Sequence, residues 1–302
     1  MTQTRYQIEE RRKQLGLLGD PVTNKLLFDE AIGSGSWCGN KYPWILSCED
    51  SIKNLYAPIR IKALDYFGKY NIAWWGENEN KPSGHLLSSQ IHCLNHLFAL
   101  RKDEEAVKEI ITKALNIEVD QILPSPLDKD GFITFEFVYK NKSLLGESYE
   151  TRGKKCTSID VFVNALLKDG KRLLIPIEWK YTESYEKTVD NRAVSNSVKR
   201  YVGLANSGNT NLQKWIEEYE WDPLYEFVRQ TLLMEQMSNN YVHVIVRPND
   251  NKEIIADIDR FRNTLKDKAK LIEIDPTSLI SPLKDKTEYR PLIDYLIQRY
   301  WT

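Results

Sequence analysis

The chain has 302 residues and a nearly balanced charge, 42 Lys and Arg against 43 Asp and Glu, for a net of -1. That balance excludes a global basic pull toward nucleic acid, so any such surface must come from local clustering. Four scattered cysteines (Cys38, Cys48, Cys93, Cys156) lack CxxC spacing, which argues against a zinc site and a disulfide framework. The opening MTQTRYQIEERRKQ is too polar for a secretion signal, and no run reaches the roughly 18 apolar residues of a spanning helix. A reduced, cytoplasmic protein with no membrane partner is the expectation.

Taken in order, Thr4 to Leu15 reads as a polar helix ending near Gly16. Residues 16 to 47 are rich in Gly, Pro, Asn and aromatics without sustained period, and read as loops and short turns. Cys48 to Leu55 and Ile59 to Tyr70 read as helices interrupted at Pro58, and Asn71 to Trp75 as a short strand. The polar run Glu77 to Gly84 is the boundary expected between an N-terminal extension, residues 1–84, and a core, residues 85–302.

Ser88 or Ser89 is placed to cap a helix running to about Leu100, with Ile91, Leu94, Leu97 and Phe98 at helical spacing. A second helix follows, with Val107, Ile110, Ile111, Ala114 and Leu115 as its apolar stripe. Gly131 to Tyr139 is β-branched and aromatic and reads as a strand. Ser158 to Leu167 and Arg172 to Lys180 are two apolar runs around Lys168-Asp169-Gly170-Lys171, where the Asp-Gly pair signals a hairpin. Residues 184–211 read as a polar connection, and Leu212 to Met237 as helix broken at Asp222-Pro223. Tyr241 to Val246 and Leu271 to Ile274 read as strands, Ile254 to Leu265 and Glu288 to Tyr300 as helices. This order predicts an α/β protein: a central mixed β-sheet with helices on both faces and a mainly helical N-terminal extension.

Chemistry concentrates in the hairpin. Acid-x-lysine occurs four times, at Glu79/Lys81, Asp169/Lys171, Glu178/Lys180 and Asp250/Lys252, but only Glu178-Trp179-Lys180 closes an apolar strand. Residues two apart on a strand share a face, so Glu178 and Lys180 project together. Asp160, between Ile159 and Val161 on the preceding strand, lies beside them. Two carboxylates can hold Mg²⁺ or Mn²⁺, with the Trp179 carbonyl as a further ligand, and Lys180 can orient a water or offset developing charge. Phosphodiester hydrolysis needs that combination. The bland alternative is a buried ion pair of Asp160 with Lys180.

The layout Ile159-Asp160-Val161, hairpin, Ile177-Glu178-Trp179-Lys180 resembles the PD-(D/E)xK nuclease superfamily, and among its members bacterial restriction-endonuclease-like proteins. The similarity spans residues 88–246 as helix, three antiparallel strands, helix and strand. Ile159 stands where the superfamily's proline would be. The resemblance implies a restriction-endonuclease-like core, Asp160 and Glu178 as metal ligands, Lys180 as catalytic lysine, and a Mg²⁺-dependent nuclease acting on nucleic acid, chiefly DNA. A homodimer is one assembly it allows. The alternative is a nuclease-fold module that binds nucleic acid or protein without cleaving.

Some members add an acid from the first core helix, where this chain offers Gln90 and Asn95 instead. Glu147 or Glu150 could substitute. His92 and His96 share a helical face, but the ligand count favours packing over zinc. Gln230, on the helix after Lys180, stands either near the lysine or out in solvent beside Arg229. Arg152, Lys154 and Lys155 before the Asp160 strand, and Lys187, Arg192, Lys199 and Arg200 after Lys180, are the candidate phosphate contacts. Interleaved Glu183, Glu186 and Asp190 partly cancel that patch.

Overall fold

The computed structural model describes residues 3–76, 78–139, 144–147, 156–185 and 192–301. The chain opens with α1 (Arg5–Gly19), where Thr4 and Gln7 exchange the reciprocal hydrogen bonds of a capping box. Asp20 then caps α2 (Pro21–Phe28) by accepting from Thr23 N–H, with proline in the first turn where no N–H is needed. A two-stranded antiparallel hairpin follows, β1 (Gly33–Trp37) and β2 (Asn40–Leu46), turning through Cys38 and Gly39, both at positive φ. The expected loop region therefore holds a helix and a hairpin. Its strands carry Gly, Ser and Pro rather than an alternating apolar pattern, so no period betrayed them. Ser51–Asn54 is a single 3-10 turn, and α3 is Arg60–Lys69. The strand expected at Asn71 to Trp75 is instead a loop, in which Trp74 N–H donates to the Glu79 carbonyl.

The core begins with α4 (Ser89–Leu97), capped by Ser88 as expected, and α5 (Glu104–Leu115), capped by Asp103 and ended by Asn116 at φ 52. Then come β3 (Val119–Ile122), β4 (Ile133–Phe137), β5 (Ile159–Leu167), β6 (Arg172–Trp179), α6 (Ser195–Ala205) and α7 (Leu224–Met237). The chain closes with β7 (His243–Val246), α8 (Ile255–Asn263), β8 (Leu271–Ile274), α9 (Pro276–Ile280) and α10 (Arg290–Arg299). Helix α6 lies in a segment read from sequence as a polar connection, and β3 in one for which the sequence suggested no element.

Six strands form one mixed sheet. β5 and β6 are the antiparallel hairpin, with Val161 opposite Ile177 and Gly170 at φ 80 in the turn. β3 and β4 share the other edge of β5, while β7 pairs parallel with β6 and β8 parallel with β7. Side chains alternate across the sheet as the period of two requires. Val161, Val163, Ile175 and Ile177 face one apolar cluster with α4, α5 and α10. Phe162 and Leu174 face a second, with α7 and α8.

The first cluster does not stop at residue 84. Leu27, Phe28, Leu55, Phe67 and Trp74 pack into it with Ile91, Leu94, Trp179 and Leu296. At its centre Arg299, fully buried, donates to the Asn54 carbonyl and the Tyr295 hydroxyl at 2.6 Å each. Its guanidinium lies over the rings of Phe28 and Tyr300 at 4.7 and 4.9 Å.

Candidate active site

The hairpin register places the acids. Val161 pairs with Ile177 and Phe162 with Pro176, which sets Asp160 beside Glu178 at the end of the β5–β6 ladder. Oδ2 of Asp160 accepts the backbone N–H of Trp179 at 2.7 Å. Lys180 N–H then donates to the Val246 carbonyl at 2.8 Å, so β7 fixes the backbone that carries the lysine. Asp160, Glu178 and Lys180 all line one open pocket of about 680 Å³. Glu178 and Lys180 lie at its floor, 2 % and 5 % exposed, while Asp160 is half-buried.

The floor is crowded with negative charge. Lys180 Nζ lies 2.5 Å from Glu178 Oε1 and 2.5 Å from Oε2 of Glu226 on α7. Burial works to lower the lysine's pKa, but the two carboxylates outweigh it and hold the ammonium well above its usual value. The same ammonium overcomes burial at Glu226 and leaves it below the usual range. Glu178 is pushed up to about 8, first by burial and then by Glu226. Asp160 is raised well above the carboxylate range by burial and by Glu178 and Glu136. Glu178 and Glu226 thus share the Lys180 ammonium, and the Arg229 guanidinium, which also lines the pocket, helps to hold Glu226 charged.

Glu136 is the acid that sequence reading missed. It lies inside β4 at φ +47, in the left-handed region that a strand residue rarely adopts. Its carboxylate accepts from Gln90 Nε2 and from Ser158 Oγ, both at 2.9 Å, and it lines the pocket. A residue within an apparently regular GFITFEFVY run carries no such signal. Glu226 was likewise hidden on a helix known only by its apolar pattern.

Of the accessory residues, Gln230 is fully buried rather than beside solvent. Its Nε2 donates to Glu178 Oε2 at 2.5 Å and to the Ser158 carbonyl at 3.0 Å, while its Oε1 is buried without a hydrogen-bond partner among the described residues. Gln90 faces the pocket and accepts from Trp75 N–H at 2.9 Å. Asn95 does not reach it. It is buried in the core, accepting from Tyr56 N–H and donating to the Asn54 carbonyl and Tyr300 hydroxyl.

Glu147 does not substitute for a helix acid, because its carboxylate accepts from Thr157 and Tyr201 away from the pocket. Glu150 lies outside the described residues. The histidines are packing groups. His92 Nδ1 accepts the Trp179 indole N–H at 2.7 Å, and His96 Nε2 accepts that of Trp301 at 3.2 Å. Burial keeps both neutral, His96 down to about 3.

Of the basic candidates among the described residues, Arg192, Lys199 and Arg200, none lines the pocket, whereas Arg229 on α7 does. Arg192 pairs with Glu220 at 3.1 Å, and Lys199 and Arg200 are exposed on α6, apart from the pocket lining. Arg152, Lys154, Lys155 and Lys187 lie outside the described residues.

The donor set suits a hard cation. Among the described residues no three His, Cys, Asp or Glu side chains could hold a metal ion by themselves. Mg²⁺ asks less, one or two carboxylates completed by waters and substrate oxygens. Asp160 and Glu178 would be those carboxylates; burial first, and then a neighbouring acid in each case, raises both pKa values, and a divalent ion would favour their charged forms.

A mixed sheet whose central hairpin ends in an acid, a second acid and a lysine has the core expected of a restriction-endonuclease-like protein. The family described as "Restriction Endonuclease associating with ARP" (REase-ARP) matches residues 31–301, and the chain belongs to it. Comparison with curated proteins and with solved structures finds no match. No helix among the described residues is long and apolar enough to cross a membrane.

Proposed function

We propose that the protein is a metal-dependent nuclease of the PD-(D/E)xK kind that hydrolyses phosphodiester bonds, chiefly in DNA. One observation carries the reading: Asp160, Glu178 and Lys180 converge on the floor of a single pocket, delivered by two adjacent strands. Membership of a restriction-endonuclease family agrees with it. The family's description also names association with ARP, and a partner of that name belongs to the same reading.

Asp160 and Glu178, with the Trp179 carbonyl, would hold the ion. Bound Mg²⁺ or Mn²⁺ supplies charge neutralisation at the phosphoryl oxygens and a bound water of lowered pKa. Trp179 N–H fixes one oxygen of Asp160, leaving the rest of the carboxylate to face the pocket. Gln230 holds Glu178 from behind through a bond that orients the carboxylate. Lys180, kept protonated by Glu178 and Glu226, is a proton-rich donor for a developing phosphoryl charge or an attacking water. The acidic floor repels phosphate until a cation is present, so substrate and metal should bind together.

The test is cleavage of linear, nicked and single-stranded DNA and of RNA, with Mg²⁺ or Mn²⁺ and with chelator. Metal-dependent cutting should be lost in Asp160→Ala and Lys180→Ala with the circular-dichroism spectrum retained. Cutting that survives both changes refutes the assignment. Metal-dependent binding with no cutting of any substrate would instead support a non-cleaving module, a reading favoured by the complete ion pairing of Lys180.

A further inference from the structure

The pocket lining includes an exposed tryptophan, Trp75, stacked on a half-buried one, Trp37. Trp74 and Trp75 are neighbours with opposite fates. Trp74 is 3 % exposed and stacks on Phe67 with ring centres 3.8 Å apart, which pins the loop to the core. Trp75 is 47 % exposed and lines the pocket. It stacks on Trp37, at the tip of the β1–β2 hairpin, with centroids 5.0 Å apart and planes 23° from parallel. His85 packs edge-on against both rings and is held neutral, down to about 4, first by burial. All three residues line the same pocket as Asp160 and Lys180.

This platform is tied to the acids. Trp75 N–H donates to Gln90 Oε1 at 2.9 Å, and Gln90 Nε2 donates to Glu136 Oε1 at 2.9 Å. Two hydrogen bonds therefore connect the backbone that carries the exposed indole to a carboxylate on the pocket wall. An exposed tryptophan gives up the burial that its large apolar area would otherwise gain. Holding one rigidly beside an acidic, metal-suited floor is a costly arrangement for mere surface.

We propose that Trp75, backed by Trp37, is a stacking platform for an unpaired nucleobase of the substrate, the base flanking the scissile phosphate. This deepens the nuclease reading and rests on it. A fully paired duplex keeps its base faces inside the helix and offers only edges and phosphates to a protein. An indole face can be used only by a base out of the stack, whether in a single strand or displaced at a mismatched pair of a duplex. Stacking is indifferent to base identity, since every base has a π-face. The substrate class is thus nucleic acid with locally unpaired nucleotides.

The experiment measures binding of the full chain by fluorescence anisotropy, with Ca²⁺ replacing Mg²⁺ as a hard cation with oxygen ligands. The probes are a labelled single strand, a fully paired duplex, a duplex with one mismatched pair, and a single strand carrying an abasic site. Trp75→Ala should weaken single-strand binding about 5- to 150-fold, the range for loss of one stacked base. Trp75→Phe should largely restore it and Trp75→Leu should not. The paired duplex should be unaffected by these changes. Weakening of the mismatched duplex alone would identify a flipped base as the source, and weakening of the single strand alone an open strand.

Equal losses on the paired duplex, or full rescue by Trp75→Leu, would overturn the platform. So would binding that Trp75→Ala leaves unchanged, and so would no binding of any probe. The two readings separate cleanly. Cleavage by wild type with no dependence on Trp75 sinks the platform and leaves the nuclease standing. Trp75-dependent binding without cleavage in Mg²⁺ does the reverse.

Discussion

Lys180 Nζ sits 2.5 Å from Glu226 Oε2, so the lysine that closes β6 is held by a carboxylate from the helix across the pocket as well as by its strand neighbour Glu178. Glu226 therefore sets the charge balance of the floor. In Glu226→Gln the ammonium loses one of its two counter-charges and Glu178 loses a like-charged neighbour. Both pKa values should fall. The rising limb of the pH–rate profile should move to lower pH, read from cleavage rates between pH 6 and 9. An unmoved limb would show that Glu226 is electrostatically remote.

The metal-free protein should lose stability as pH rises. An unfolded glutamate releases its proton near the usual 4.5, whereas folded Glu178 holds it until about 8. Between those values the folded state binds more protons, so unfolding becomes easier with increasing pH. The loss across that window is on the order of 2–4 kcal/mol, taking about 1.4 kcal/mol per unit and allowing for coupling to Lys180. Melting curves in chelator from pH 5 to 8 measure it. Glu178→Gln should flatten the slope, and Mg²⁺ should restore stability most at the alkaline end.

Gln230 orients Glu178 without standing in the open pocket. Gln230→Leu removes the donor at 2.5 Å and raises the Glu178 pKa further, because that hydrogen bond favours the charged form. Metal affinity should drop about 10- to 100-fold, as when an orienting partner of a ligand is lost. Activity should recover at high metal concentration. A loss that excess Mg²⁺ cannot rescue would mean Gln230 acts on something other than metal binding.

The N-terminal segment should not separate from the rest. A fragment of residues 85–302 would expose the partners of Phe28, Leu55, Phe67 and Trp74 and strip Arg299 of Asn54. We expect it to fail to fold. We expect Arg299→Ala in the full chain to cost about 3–5 kcal/mol, since the buried guanidinium's acceptors are left unsatisfied. Urea denaturation reads both. A cooperative transition for the fragment would make residue 84 a true boundary.

What could be read from sequence followed from local signals. Asp169-Gly170 announced the hairpin, and its Gly does adopt φ 80. The parity of β6 put Glu178 and Lys180 on one face, and both do line the pocket. Ser88 marked the start of α4. The unread parts depend on distant pairing or on backbone strain. The strands β1 and β2 hold together through their register and their packing under α1, not through apolar alternation. The acid Glu136 reaches the pocket through a positive φ that no residue pattern encodes. Arg192, chosen as a phosphate contact from its neighbourhood in the chain, is instead engaged by Glu220 in space.

The β1–β2 hairpin tip and the loop at Trp75 line the same pocket as the two acids and the lysine, which come from later parts of the chain. Under the proposed nuclease reading, admission and reaction would fall to separate stretches of polypeptide. Changes in length or aromatic content around Trp37 can retune which strands are let in while the carboxylates and the lysine below keep their positions. Relatives sharing one floor are free to diverge in appetite through this rim alone.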